Sequence, residues 1–349
     1  MHMRKIHIIN KIFFNNGGNK MPGCITHYIF AKDCFDKLDN DNLKNILSKN
    51  INIYLLGSCG PNFFEYYNNV PSIFSKNLAS ISNLIHNKNI NLFFEEMINY
   101  AVNNQYIKFI FNKDNFIDIS ISYFCGFLSH YILDRSIHPY IFYLQLNLKN
   151  QYKLKSNNSL HKSIETHIDS LLLYKLKDSM PKDFIKNINI NLSNSEMLIL
   201  CDMYNFLLKS VFNKSVSYKD INKSLSTFKK TQIRLIYSNS IYSKLYLFIK
   251  NLLCKTGYIE NKTYSNHTHC VNDLLNEKKS TWIDPFSKEE YNKSLIAIYY
   301  DSENLYLEIV NIFYQYMHNN KKMMDIINKI ENKSYITNQN FNTSYNTNL

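Results

Sequence analysis

Glycine and proline are scarce in this chain, with 7 glycines and 6 prolines among 349 residues. Sandwiches and barrels rich in turns need many such breakers, so this scarcity argues against an all-β fold and favours long helices joined by polar loops. Apolar runs of the roughly 20 residues needed to span a bilayer are also missing, and we predict no transmembrane segment. The sequence therefore predicts an all-α fold made of a single multi-helix domain.

Several sequence motifs that would identify a site are absent as well. The seven cysteines are odd in number and form no C-x-x-C pair. That pattern is typical of reduced, mostly buried thiols and not of a disulfide framework or a thiolate zinc site. The motifs H-E-x-x-H, E-x-x-H and His-Asp are missing, and so are the glycine-rich phosphate loops. Any metal or phosphate chemistry must use another pattern.

Negative charge is in deficit, because 40 Lys and Arg face 28 Asp and Glu and give a formal net charge of +12. This balance suits a polyanionic partner such as a phospholipid surface, contacted peripherally, or a nucleic acid. The lysines are dispersed, with no block longer than two, which is typical of a solubilising shell. The charge alone leaves both interpretations open.

The stretch GFLSHYILDRSIHPYIFY, residues 126–143, carries His130, Asp134 and His138 at steps of four within apolar, aromatic sequence. Burying a carboxylate or an imidazole is costly unless a partner satisfies it. Positions i and i+4 share one face of a helix, roughly 5–6 Å apart at Cβ, so such a pair can hold a divalent ion such as Zn²⁺. Pro139 follows His138 directly and predicts that the helix ends there.

A second step of four follows in HKSIETHID, where His161 precedes Glu165. Either these groups satisfy one another along helix faces, or they converge on a metal. Two such pairs within about 40 residues, joined by His138, favour the metal. Upstream, THYIFAKDCFDKL predicts a helix with Thr26 as its N-cap.

The order of five segments resembles the zinc-dependent phospholipase C family. They are MPGCITHYIFAKD, LLGSCGPNFFEYY, LIHNKN, GFLSHYILDRSIHPYI and HKSIETHID. TWIDPFSKEEYNKSLIAIYYDS is similar to the distal segment of the small bacterial members, and the resemblance spans nearly all of residues 21–330. It implies an all-α fold with up to three zinc ions in a cleft and, as in those members, a cytoplasmic location.

Seven residues match the zinc ligands of that family, and Asp134 is placed to bridge two ions. Ion by ion, they are His86, His130 and Asp134 for the first, His138, His161 and Glu165 for the second, and His27 for the third. The resemblance thus implies two to three Zn²⁺ ions as cofactors.

Two positions depart from the family pattern. Secreted members complete the third site with a processed N-terminal residue, whereas His27 lies six residues after Met21, so we expect a weak or absent third ion. Asn62 stands where the family has a metal-binding carboxylate also proposed as general base. A neutral amide offers a carbonyl oxygen and cannot accept a proton, which places catalysis through Asn62 and Asp134 by the family's route in doubt.

The resemblance implies a phosphodiester hydrolase in which metal-bound hydroxide attacks phosphorus, with a phospholipid or another phosphodiester as substrate. Phe63, Phe64, Tyr66 and Tyr67 are predicted either to line the mouth of the site or to pack in the core. A nuclease specific for single strands is an alternative, since such enzymes share this kind of cluster. A non-catalytic, metal-stabilised domain is a third interpretation, and Asn62 favours it.

The chain is predicted to divide into three parts. Residues 1–20 do not fit a signal peptide, because Lys11 interrupts their apolar stretch and no cleavage site follows. The small members of the family that the chain resembles begin at a Met-Pro just before a Thr-His, so we interpret residues 1–20 as a non-native or disordered extension ahead of a start at Met21. Residues 21–330 form the helical domain. Residues 331–349 form a polar tail, NKSYITNQNFNTSYNTNL with one preceding glutamate, which is predicted to be disordered.

Overall fold

The computed structural model describes residues 24–67, 78–103, 113–152, 158–181, 183–184, 190–237 and 273–340. Within these ranges 75% of the residues are helical and there is almost no sheet, which confirms the all-α prediction. The elements are α1 Cys24–Asp36, α2 Asp41–Lys49, α3 Ile51–Gly57, a 3₁₀ helix Gly60–Tyr66, α4 Ala79–Asn87, α5 Ile90–Val102, α6 Lys113–Tyr152, α7 Asn158–Lys177, α8 Asn194–Phe212, α9 Tyr218–Tyr237, β1 Trp282–Ile283, β2 Glu290–Tyr291, α10 Leu295–Met317 and α11 Met323–Ile330. The two short strands pair antiparallel, with Trp282 opposite Tyr291. The predicted extension at residues 1–20 lies outside the described ranges.

Helix α6 is the centre of the fold, and α1, α3, α5, α7 and α10 all pack against it. Its segment Asn115–Gln151 is long and apolar enough to cross a membrane, and 89% of its most apolar window is buried inside the protein. The segment interrupts its apolar run with His130 and Asp134, which explains why no such span is evident in the sequence. Packing by helices on several sides identifies α6 as the core helix of this fold.

Close approach of α3 to α6 depends on a glycine. A Cβ on Gly126 would lie 2.0 Å from the carbonyl oxygen of Tyr54, which is too close for any side chain. The contact brings the end of α3, and the 3₁₀ helix that follows it, directly against the part of α6 that carries His130.

The predicted end of a helix at His138 is wrong, because α6 runs through Pro139 to Tyr152. A proline inside a helix removes one backbone hydrogen bond and disfavours the α conformation of the residue before it. Here Ile137, Tyr140 and Ile141 are all buried around it, so burial on this part of α6 outweighs the local penalty.

Residues 331–340, assigned above to a disordered tail, form turns against α6, with an isolated bridge between Lys333 and Asn340. Tyr131 donates its hydroxyl hydrogen towards the carbonyls of Ile330, Glu331 and Lys333. The Tyr335 side chain is 1% exposed. One buried aromatic residue and these hydrogen bonds order a segment whose composition is polar; residues 341–349 lie outside the described ranges.

Candidate metal centre

Two adjacent helices present their predicted ligands to each other. On α6, His130, Asp134 and His138 follow one another at steps of four, and α7 presents His161 and Glu165 in the same way. Each row lies along one face of its helix because 3.6 residues complete a turn. Since α6 packs against α7, the two rows face a common space.

The carboxylate of Asp134 lies close to the Nε2 atoms of three histidines. Its Oδ1 lies 2.9 Å from Nε2 of His27, and its Oδ2 lies 3.1 Å from Nε2 of His130. His86 approaches from α4, with Nε2 at 3.8 Å from Oδ2 and 3.3 Å from Nε2 of His130. His27, His130 and Asp134 together form a group able to hold one metal ion. The structure therefore groups His27 with the first-ion residues, whereas the sequence assigned it to a third ion.

A second group consists of His138, His161 and Glu165. The Oε1 atom of Glu165 lies 3.3 Å from Nε2 of His138 and 3.2 Å from Nε2 of His161. The two imidazole rings are stacked, with their centroids 5.6 Å apart. Asp134 lies between the groups, because its Oδ1 is also 3.8 Å from Nδ1 of His138.

Three of the histidines have their second ring nitrogen fixed by a partner that the sequence does not reveal. Nδ1 of His86 lies 2.8 Å from the carbonyl oxygen of Ser82, and Nδ1 of His138 lies 2.9 Å from that of Tyr335. A carbonyl only accepts hydrogen bonds, so each Nδ1 carries the hydrogen. Nδ1 of His161 similarly lies 2.8 Å from Oε1 of Gln145. In all three, Nε2 faces the other ligands, which is how outer partners orient metal-binding imidazoles.

Asp169 is a further acidic residue of α7 that the sequence analysis missed, although it continues the steps of four from Glu165. Its carboxylate accepts hydrogen bonds from the backbone N–H of Thr26 at 2.9 Å and of Ile25 at 3.3 Å, and from the Thr26 hydroxyl. Asp169 therefore caps the first turn of α1. Thr26, which it holds, directly precedes His27. Thr26 lies inside the helix, so its prediction as the N-cap is wrong.

The pKa values reflect this crowding of charge. Burial disfavours the ionised form of Asp134, yet His130, His138 and His27 hold its pKa well below the usual value. Burial lowers the pKa of His130 and, despite Asp134 and Glu65, that of His86. These two imidazoles are therefore neutral, with lone pairs available to an ion.

The second group differs because the protonated form of His138 is favoured. Burial works against the protonated form of His138, but Asp134 and Glu165 outweigh it and raise the pKa of His138 to about 9. Burial also opposes ionisation of Glu165, whose pKa is lowered to about 2 by His161 and His138. Burial raises the pKa of Asp169 to about 7, although its hydrogen bonds from Thr26 act in the opposite direction.

The arrangement of donors fits a zinc ion. His86 has a lone pair at Nε2, Asp134 is ionised, and Nε2 of His130 lies within 3.3 Å of both. One hydrogen on His130 satisfies at most one of these acceptors. In addition, Nδ1 of His27 and Nδ1 of His130 are buried without a hydrogen-bond partner, which is unusual in a folded protein. Imidazole and carboxylate are ligands that Zn²⁺ accepts, and an ion would satisfy the converging lone pairs.

Gly60 makes room for His130. Its φ of +55° lies in the left-handed region, and a Cβ there would lie 2.0 Å from Cδ2 of the His130 ring. Pro61 follows in the first turn of the 3₁₀ helix. Glycine is thus required both by the backbone conformation and by the close approach of the imidazole.

Both groups open into one cavity of about 220 Å³. Its polar lining includes Asn62, Glu65 and Lys162, and its apolar lining includes Ile141 and Phe142. Of the four aromatic residues considered for the mouth, Phe63, Phe64 and Tyr66 are buried in the core, and Tyr67 is partly exposed and donates its hydroxyl hydrogen to Asp220. None of the four lines this cavity.

Comparison with known proteins gives one match. The family model described as zinc dependent phospholipase C matches residues 26–211, which is more than half of the chain. Neither the curated proteins nor the solved structures include a match. The matched range contains all seven predicted ligands and ends well before Tyr335.

Proposed function

The chain belongs to the zinc-dependent phospholipase C family, and we propose that it hydrolyses phosphodiesters, with phospholipids as its substrates. The observation that carries this proposal is the convergence of two metal-binding groups on one cavity, with Asp134 between them. Contact with a phospholipid surface belongs to the proposal, and the net charge of +12 supports it. The cytoplasmic location stays a prediction.

Zinc would be held in the first group by His86, His130, Asp134 and His27, and in the second group by three residues. Those three are His138, His161 and Glu165. Bound there, it would supply a Lewis acid for the phosphoryl oxygens and lower the pKa of a water to about 7.

The side chains of the cavity have complementary roles. Asp134 keeps the two groups adjacent, because its oxygens face histidines of both. Lys162 lines the cavity and offers positive charge to the phosphate. Ile141 and Phe142 form an apolar side against which the first carbons of an acyl chain would pack.

The test is hydrolysis of phosphatidylcholine vesicles, and of bis-p-nitrophenyl phosphate, by purified protein supplied with zinc. We expect turnover of both, and its loss when a chelator removes the metal. Glu165→Gln should abolish turnover, whereas Glu95→Gln, on an exposed face of α5, should not change it. Turnover that survives both chelation and Glu165→Gln would contradict the proposal.

A non-catalytic, metal-stabilised domain is the second candidate, because Asn62 lines the cavity where the family pattern has a carboxylate. In that case the protein would bind zinc and gain thermal stability from it, but cleave neither substrate. The same assay, run on protein with measured zinc content, separates the two functions.

A further inference from the structure

The first metal group is short of one negative charge. With Asn62 in place of an acid, the residues that converge on this group are histidines and one carboxylate, that of Asp134. A divalent ion bound there keeps an excess positive charge in a buried place, and such charge is costly unless it is balanced nearby. A carboxylate close to these ligands would offset that charge.

Glu65 lies on the same face of the 3₁₀ helix as Asn62. A 3₁₀ helix has three residues per turn, so side chains three positions apart eclipse one another. Asn62 and Glu65 accordingly both line the cavity, whereas Phe63 and Phe64 between them are fully buried. The chain thus carries a carboxylate one turn beyond the position where the family pattern has one.

A chain of hydrogen bonds connects Glu65 to a predicted ligand. The hydroxyl of Ser82, which is 1% exposed, lies 3.4 Å from Oε1 of Glu65 and donates to it. The same hydroxyl oxygen lies 3.3 Å from Nδ1 of His86, which carries the hydrogen. The hydrogen-bond chain therefore runs from the carboxylate through the hydroxyl to the imidazole, and Nε2 of His86 faces His130 and Asp134.

Outside the two metal groups, the cavity lining has one other acidic residue among the described ones, Asp169, and its carboxylate has different partners. Asp169 is engaged by the first turn of α1, where it accepts hydrogen bonds from Ile25 and Thr26. Among the described residues that line the cavity, Glu65 is therefore the carboxylate connected to His86.

We propose that Glu65 is a positioning residue that compensates for Asn62: acting through Ser82, it orients His86 and supplies the negative charge that position 62 lacks. The inference rests on the zinc site proposed above and extends it to a residue of the 3₁₀ helix. Outer partners of this kind orient the imidazole and increase its basicity, and their loss typically weakens metal binding about 10- to 100-fold.

The experiment measures the zinc dissociation constant of the full chain by competition with a chromogenic chelator. Glu65→Gln and Ser82→Ala should each weaken zinc binding at the first metal group, which contains His86, about 10- to 100-fold. The double variant should bind zinc no more weakly than either single variant, because both residues act through the same chain of hydrogen bonds. Asn62→Asp placed in the Glu65→Gln background should restore affinity, since it returns a carboxylate to the cavity. Glu95→Gln is the matched control and should bind zinc like the unaltered chain.

The outcomes separate this inference from the proposed function. If the unaltered chain holds no zinc, the proposed function fails. If it holds zinc and Glu65→Gln binds as tightly, Glu65 has no such role. Equal loss in the Asn62→Asp/Glu65→Gln variant, or additive losses from Glu65→Gln and Ser82→Ala, would also overturn the inference. Circular dichroism of each variant identifies any that fails to fold, and Ser82→Ala then provides the test without changing charge.

Discussion

The stability of the zinc-free protein should fall as the pH rises from about 6.5 to 9, because of His138. Its ring lies 3.3 Å from Glu165 and 3.8 Å from Asp134, and these carboxylates favour the imidazolium. The pKa of His138 is raised from 6.5 in the unfolded chain to about 9 in the fold. A raised pKa contributes stability that is complete below the unfolded value and is lost as the pH rises through the folded value.

The magnitude follows from the size of that shift. One pKa unit corresponds to about 1.4 kcal/mol, so a shift from 6.5 to about 9 contributes up to about 3 kcal/mol at acidic pH. His138 is only 12% exposed, so solvent screens its ion pairs little. That amount is a large part of the total stability of a typical domain.

The assay is urea unfolding, followed by circular dichroism, of chelator-treated protein at pH 6.5 and pH 9. His138→Gln is the comparison, because it lacks the titrating group and should lose much less stability over this interval. Zinc-loaded protein should also change little, since the metal takes the place of the proton. A zinc-free protein whose stability is constant or rises over this interval, relative to His138→Gln, would show that His138 is not held as an imidazolium in the fold.

Three further predictions concern two substitutions and one truncation near the metal centre. Glu165→Gln should remove the ion of the second group and spare the first, because Glu165 contacts only His138 and His161 among the described ligands; elemental analysis should show one zinc fewer per chain. Ending the chain after residue 332 should weaken the second site by removing the Tyr335 carbonyl from Nδ1 of His138, whereas ending it after residue 340 should not. Gly60→Ala should destabilise the fold by about 1–3 kcal/mol through its positive φ alone, which thermal unfolding would detect, and unchanged stability would contradict the left-handed conformation of Gly60.

The helical fold and the two rows of candidate ligands could be predicted from the sequence, because both depend on local patterns. Few breakers imply long helices, and steps of four place His130 beside Asp134 and His161 beside Glu165 on their own helices. The local rule for Pro139 failed where it met tertiary packing, since the burial of Tyr140 and its neighbours keeps α6 continuous. Periodicity alone thus predicts what each helix presents and misses where packing overrides a breaker.

The residues that orient the ligands could not be predicted, because chain folding brings them together. Tyr335 is 197 positions from the His138 that its carbonyl contacts, in a segment whose composition resembles a disordered tail. Gln145 and Ser82 carry no signal that distinguishes them from other polar residues on a helix. Asp169 did carry one, because it continues the steps of four from Glu165, and following that row one step further would have found it.

Whether the protein is a zinc protein at all is decided by the zinc content of protein purified without chelators, determined by elemental analysis alongside protein concentration. The two metal-binding groups predict two tightly held zinc ions per chain, with one lost in Glu165→Gln and the other in His130→Ala. Protein that is folded, monodisperse and free of tightly bound transition metal would contradict the account.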